Sequence, residues 1–260
     1  MNKLIQLGAA VAPYFIAVPM AVYGYQHFLY LKFVALFIPE WIPFCTFWAA
    51  FTGVCLITAA ISIVIRKWDR SAATLLGVMI FIWVVFLHTS RIAAQPGSPD
   101  EWRGFFQALS MSAISFVLAA SISKENSTAN TINKICTLGY RFSPQAISLS
   151  MVALGILHFV FPETITPKVP IWFPKNVMAT YLSGAALILT GAAILFKKTS
   201  VVACATLGVL IFLSMLFIHL PVVLSSPNFE SDWCKTFVMS GGLFLLAKQL
   251  TEQKSTASVP

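Results

Sequence analysis

The sequence predicts an all-α membrane protein of eight transmembrane helices, arranged as two parallel-repeat four-helix bundles. Three observations carry that expectation. Of 260 residues, 58% are hydrophobic and only 10% charged, with a mean hydropathy of +0.83, whereas soluble domains average roughly 25% charged residues. Apolar runs close to the roughly 20 residues that a bilayer requires recur along the whole chain. The second half also repeats the first at a constant offset of 131 residues. Gly24, His27 and Phe28 return as Gly155, His158 and Phe159, and Pro39-x-Trp41-x-Pro43 returns as Pro170-x-Trp172-x-Pro174. Gly53 meets Gly184, Gly77 meets Gly208, His88 meets His219, Pro96 meets Pro227 and Trp102 meets Trp233. Between residues 24–110 and 155–241, 22 of 87 pairs are identical. Apolar helices resemble one another by composition, but ungapped registration of His, Trp, Pro and Gly marks an internal duplication.

Taken in order, the spans are expected at 10–31, 44–65, 71–93, 103–122, 144–160, 177–196, 199–220 and 233–250. Residues 1–122 form the first unit and 144–250 the second. The intervening 123–143 opens with Lys124, Glu125, Asn126, Ser127 and Thr128, so it is read as a cytoplasmic linker. Residues 251–260 form a polar tail. The first helix is not a typical secretory signal, because its apolar run is too long, Pro13 and Pro19 interrupt it, and no small-x-small cleavage site follows.

Charge orients the spans. The ends holding residues 66–70, 124–141, 197–198 and both termini collect 11 basic against 3 acidic groups, while the opposite ends carry six of each. The Lys/Arg excess places the first set, with both termini, in the cytoplasm. Four spans per unit is an even number, so the two units share one orientation about an axis along the membrane normal, unlike inverted-repeat transporters. The net charge of +8 follows from this bias, and no nucleic-acid partner is expected.

All four histidines belong to the duplication: His27 and His158 near the outer end of the first span of each unit, His88 and His219 near the outer end of the third. Three readings stay open. Each imidazole bonds a neighbouring helix and fixes packing, as buried intramembrane polar groups do. Alternatively the pair in each unit forms a polar pocket for a small redox molecule such as a quinone, since histidine bonds carbonyls and moves protons near neutral pH. In the third, the pair ligates a b-type haem or a metal.

Other matched residues edge the same region. Trp41 and Trp172 stand in proline-stiffened loops, either as interfacial anchors or as a lid. Glu101-Trp102 and Asp232-Trp233 open the fourth spans, where an acid interacts favourably with the helix dipole or else orients a histidine. Arg91 follows His88 by one turn, but Val222 replaces it in the second half; Gln26 and Trp48 likewise become Leu157 and Ala179. The first unit is thus the more polar. The candidate ligand-binding residues are His27, His88, Trp41, Arg91, Glu101 and Trp102, with His158, His219, Trp172, Asp232 and Trp233 in the second unit. No metal site is expected, since Cys45, Cys55, Cys136, Cys204 and Cys234 form no C-x-x-C pair. Cys45 and Cys234 share the outer side, where an oxidising compartment favours pairing. Nucleotide-binding, hydrolase and metalloprotease signatures are absent, and no acid lies mid-span.

A four-span unit with a Gly-x-x-His-Phe first helix and a following proline–tryptophan loop resembles the DoxX-like family of small bacterial membrane proteins. Gly24, His27, Phe28, Gly53, Gly77 and Phe81 carry the resemblance, and the chain looks like two such units fused. The family includes a membrane subunit of a thiosulfate:quinone oxidoreductase and members linked to redox or sulfur stress. The resemblance implies a multi-pass protein of the bacterial cytoplasmic membrane, in contact with membrane lipid and acting beside a soluble redox partner. The resemblance is compatible with a quinone as cofactor, and the histidine pairs leave a b-type haem as the lesser alternative. The rival expectation is a non-catalytic protein that binds lipid or carries a small solute. The usual family member is a single unit, so the duplication is a departure.

Overall fold

Long apolar segments in a bilayer satisfy their backbone polar groups only by closing them within a helix. The computed structural model describes residues 1–123, 129–168, 176–225 and 232–257, and among these all regular structure is helical. The long helices are α1 (Asn2–Leu29), α2 (Cys45–Ile65), α3 (Asp69–Ala94), α4 (Pro99–Ser121), α5 (Asn130–Val160), α6 (Asn176–Ala193), α7 (Ser200–His219, running on through Leu220–Ser225) and α8 (Asp232–Ala257). Six of them, α1 to α5 and α7, are long and apolar enough to cross a membrane. The apolar part of α6 runs only from Val177 to Ala193, and α8 keeps Lys235 and Lys248 among its apolar residues. The chain is an all-helical membrane protein.

Three boundaries differ from expectation. α1 starts at Asn2 rather than at residue 10. α5 starts at Asn130 rather than 144, so the second half of the stretch read as a linker is helical. Apolar residues at Ile132, Ile135, Cys136 and Gly139 give that segment a packing stripe, and Pro144 sits inside the helix without ending it. α8 continues to Ala257, through most of the expected tail.

The packing is not that of two separate four-helix bundles. α1 packs along α2 and α8, while α5 packs along α6 and α4. The opening helix of each half thus lies against the closing helix of the other, and no comparable interface joins α1 to α4 or α5 to α8. α3 packs on α4 and α7 on α8, and α4 and α8 meet at the centre. Both central helices are buried on every side over ten consecutive residues, Ser110 to Ala119 and Val238 to Ala247, as expected for helices with protein all round.

Close approaches recur in both halves. α1 crosses α2 where Gly24 faces Gly53: a Cβ on Gly24 would stand 2.8 Å from the Gly53 carbonyl oxygen. α5 crosses α6 in the same way, with 2.7 Å from Gly155 to the Gly184 carbonyl oxygen. Small residues let helix backbones meet in lipid, where no hydrophobic force drives association. Ser112 of α4 donates to the Gly77 carbonyl of α3 at 2.8 Å, and Ser240 of α8 to the Gly208 carbonyl of α7 at 2.9 Å. One turn further on, Phe116 wedges between Gly77 and Gly139, and Phe244 between Gly208 and Gly8.

These contacts register the fourth helices at an offset of 128, not 131. At 128, Met111-Ser112, Phe116 and Leu118-Ala119 meet Met239-Ser240, Phe244 and Leu246-Ala247, and the two fully buried runs coincide. The expected equivalence of Glu101-Trp102 with Asp232-Trp233 therefore does not hold in the packing, where Asp232 stands opposite Gly104 in register. The offset of 131 does hold upstream: Asn2-Lys3, Leu7-Gly8, Pro13, Ile16 and Met20 meet Asn133-Lys134, Leu138-Gly139, Pro144, Ile147 and Met151.

Candidate functional site

The end of α3 nearest His88 and the starts of α4 and α8 meet in a charged junction. α3 widens into a π turn at Val84–His88 and then resumes as Thr89–Ala94. α7 does the same at Met215–His219, so a π turn ends on the third-span histidine in each half. Such turns re-aim side chains and often accompany function. His88 lies against α4 at Gly104, where a Cβ would come within 3.4 Å of its Cε1 and Nδ1. That Nδ1 is buried without a hydrogen-bond partner among the described residues, and a buried polar atom left so calls for an explanation.

One turn along, Arg91 donates from Nε to Glu101 Oε2 at 2.7 Å and from Nη2 to Glu101 Oε1 at 2.5 Å. The guanidinium also lies over the Phe37 ring, 4.6 Å from its centroid. Glu101 is buried, and the two-pronged pairing is the strong form of such a contact. Each Glu101 oxygen thus accepts from Arg91, and the carboxylate also acts electrostatically on His88 of the same unit. Arg91 itself is a clamp rather than a snorkelling surface residue.

The second half has Val222 where the first has Arg91, and Asp232 finds its cation elsewhere. Arg103 bridges from Asp100, at 2.8 Å, to Asp232 of α8, at 3.1 Å, and Lys235 approaches Asp232 at 3.5 Å. Asp100, Glu101 and Asp232 all lie in the first turn of their helices, where the helix dipole favours negative charge. Among the described residues, three acids and three bases meet at this junction.

His27 and His158 sit apart from it. His27 is buried, and its Nδ1 lies 2.8 Å from the Tyr23 carbonyl one turn back in α1; its ring meets Tyr23 edge-on at 5.4 Å. His158 repeats the bond to the Leu154 carbonyl at 2.8 Å. The Cβ atoms of both lie over the crossing glycines, Gly53 and Gly184, beside the Phe28 and Phe159 rings. The Gly-x-x-His-Phe motif is therefore built into a helix crossing. α1 and α3 share no packed interface, so His27 and His88 are not brought together. Paired axial ligation does not fit these residues.

The tryptophans edge the junction. Trp102 donates from Nε1 to the Pro96 carbonyl at 2.8 Å. Trp41 is largely exposed, with its ring 6.2 Å from Phe86 of α3. Trp233 packs edge-on against Phe237 at 6.2 Å. Trp172 and its flanking prolines lie outside the described residues. All five cysteines are free thiols, Cys45 and Cys234 included.

Sequence reasoning missed two residues. Phe37 carries no motif and gains its place only by folding back over Arg91. Arg70, counted merely toward the charge bias, is buried at the opposite end: Nη1 donates to the Ala119 and Ile122 carbonyls at 2.8 and 2.6 Å, and Nε to Asn133 Oδ1 at 3.0 Å. It closes the carboxyl end of α4 and ties it to α5. Its replacement by Val201 at the offset of 131 was the available sign that Arg70 has a particular partner. Compared with protein-family models, curated proteins and solved structures, the chain matches none.

Proposed function

We propose that the chain is a tandem pair of DoxX-like four-helix units with eight spans, set in a bacterial cytoplasmic membrane with both termini cytoplasmic, and that it serves quinone-linked redox work through His88 at the extracytoplasmic end of the first unit. The repeated glycine crossings, serine bonds, phenylalanine wedges and π turns support the duplication, and the 11-to-3 excess of basic groups supports the orientation. α8 completes the eight as a central member covered by its neighbours, and α6 as a shortened one that keeps Leu182 and Leu189 exposed.

One observation carries the redox reading: the buried Nδ1 of His88, which lies against Gly104, has no hydrogen-bond partner among the described residues. An imidazole N–H there suits a carbonyl acceptor. A quinone, when bound, supplies a carbonyl that takes up protons together with electrons. The chain's own part is to hold that carbonyl at His88 Nδ1, to keep the Arg91–Glu101 pair fixed one turn away, and to edge the site with Trp41 and Trp102. A soluble redox partner would deliver or accept the electrons.

The rival reading, non-catalytic binding of lipid or a small solute, draws on a different observation: His27 and His158 are spent on packing. Organic extraction of the detergent-purified protein, followed by chromatography with redox detection, separates the two. A co-purified quinone that is lost in His88→Leu but kept in His27→Asn is the expected result. Phospholipid alone, or a quinone retained equally by both variants, refutes the assignment of His88.

A further inference from the structure

Between α3, α4 and α5 lies a cavity of about 370 Å³ whose lining is almost wholly apolar. Ser112, Ala113 and Phe116 of α4 and Ser143 of α5 form its buried floor, while Phe81, Leu138 and Phe142 stand half-exposed at its rim, at 48%, 59% and 56%. The hydroxyls in the floor are already committed. Ser112 donates to the Gly77 carbonyl at 2.8 Å, and Ser143 lies 3.0 Å from the Ala113 carbonyl and 2.9 Å from that of Gly139. No hydroxyl proton is left for a polar guest, so water has too few partners to settle there. The rim opens sideways within helices that are apolar enough to cross a membrane, so the surroundings that reach it are the bilayer's own hydrocarbon.

The corresponding place between α7, α8 and α1 is built on the same frame and filled. Phe244 wedges between Gly208 and Gly8 as Phe116 does between Gly77 and Gly139. Where α5 has Ala146, α1 has Phe15, and where α4 has Leu109, α8 has Phe237. Phe15 stacks on Phe212 with centroids 5.7 Å apart and meets Phe237 edge-on at 4.8 Å. One copy of the frame is therefore closed by its own aromatic rings. The other carries small or slender side chains at the same two positions and stays hollow.

We propose that the α3–α4–α5 cavity binds one acyl chain of a membrane phospholipid, which takes the space that Phe15 and Phe237 fill in the other half. The volume lies within the range of small-molecule sites, about 300–1,000 Å³, and the lining supplies hydrocarbon contact without a hydrogen bond. This inference rests on the duplication proposed above and is independent of the quinone assignment.

The test uses the full chain in detergent with palmitoyl-oleoyl phosphatidylglycerol added, and native mass spectrometry counts the lipids retained. Wild type keeps one lipid as detergent strips the rest. Ala146→Phe, which installs the ring of the other half, weakens retention by about tenfold or more and melts higher in lipid-free detergent, because the cavity is filled by protein. Ala146→Leu gives a smaller loss, and His88→Leu leaves retention unchanged. Equal retention in folded Ala146→Phe or Ala146→Leu overturns the site, as does a wild type that keeps no lipid, or one that keeps a quinone in its place. An Ala146→Phe chain that does not fold overturns the equivalence of the two frames, and with it the basis of the inference.

Discussion

Glu101 holds Arg91 by both oxygens, at 2.7 and 2.5 Å, beneath the Phe37 ring. The pair joins the end of α3 to the start of α4 beside His88. Buried two-pronged pairs couple more strongly than exposed ones. A double-mutant cycle with Arg91→Ala and Glu101→Ala, read by reversible unfolding in detergent, should give a coupling energy of about 1–3 kcal/mol. Glu101→Ala should cost less than Arg91→Ala, because the latter leaves a buried carboxylate without its cation. A coupling near zero would reduce the pair to a surface contact.

Gly24 and Gly155 should be intolerant to the same degree. A Cβ at either stands 2.7 to 2.8 Å from the partner helix's carbonyl oxygen, closer than packed atoms tolerate. Gly24→Val and Gly155→Val should each destabilise by about 1–3 kcal/mol or more, the usual cost of overpacking. Gly97→Ala, with nothing within 4 Å of the added atom, serves as the silent control. Thermal melts of the three variants decide the matter, and a tolerated valine at Gly24 would deny the close crossing.

Arg70 should matter more than its place in a basic cluster implies. Removing it strips the Ala119 and Ile122 carbonyls and Asn133 of a shared donor. A hydrogen bond from a charged group contributes about 1.5–3 kcal/mol, and bonds that share one donor group do not add in full. Arg70→Met should therefore lower stability by about 2–4 kcal/mol, while Arg66→Met, at an exposed position, should cost less than about 0.5 kcal/mol. Equal losses in the two would leave Arg70 as one more cytoplasmic charge.

The proposed orientation can be read directly in cells. In a background cleared of native thiols, Gly97→Cys should react with a membrane-impermeant maleimide added outside intact cells, and Lys67→Cys should react only after lysis. The reverse pattern would turn the protein over and put His88 at the cytoplasmic face.

Much of this fold was visible before any coordinates. The apolar runs placed the helices, and the offset of 131 found Gly24 with Gly155, Gly53 with Gly184 and His88 with His219. Two features lie outside residues 24–110 and their repeats. Upstream, Asn2-Lys3 and Gly8 match Asn133-Lys134 and Gly139, so residues 130–143 correspond to the start of α1 and not to a linker. Downstream, Met111, Ser112 and Phe116 match at 128, whereas Trp102 and Trp233 coincide at 131. The site was less legible. Nothing in the spacing says that the Glu101 oxygens go to Arg91, that Phe37 covers the guanidinium, or that His27 spends its Nδ1 on its own helix.

What the sequence determined alone is local: which stretches become helices, which residues are apolar enough for lipid, and which side chains recur. Helix formation depends on neighbours within one turn, so a linear reading reaches it. Only the tertiary structure decided that α1 closes against α8 and α5 against α4, that the His88 Nδ1 is buried without a partner among the described residues, and why one glycine-lined frame is filled while its counterpart is hollow. Those outcomes depend on shape fit between side chains more than a hundred residues apart, such as Phe244 on Gly8, and no repeat period encodes which surfaces meet.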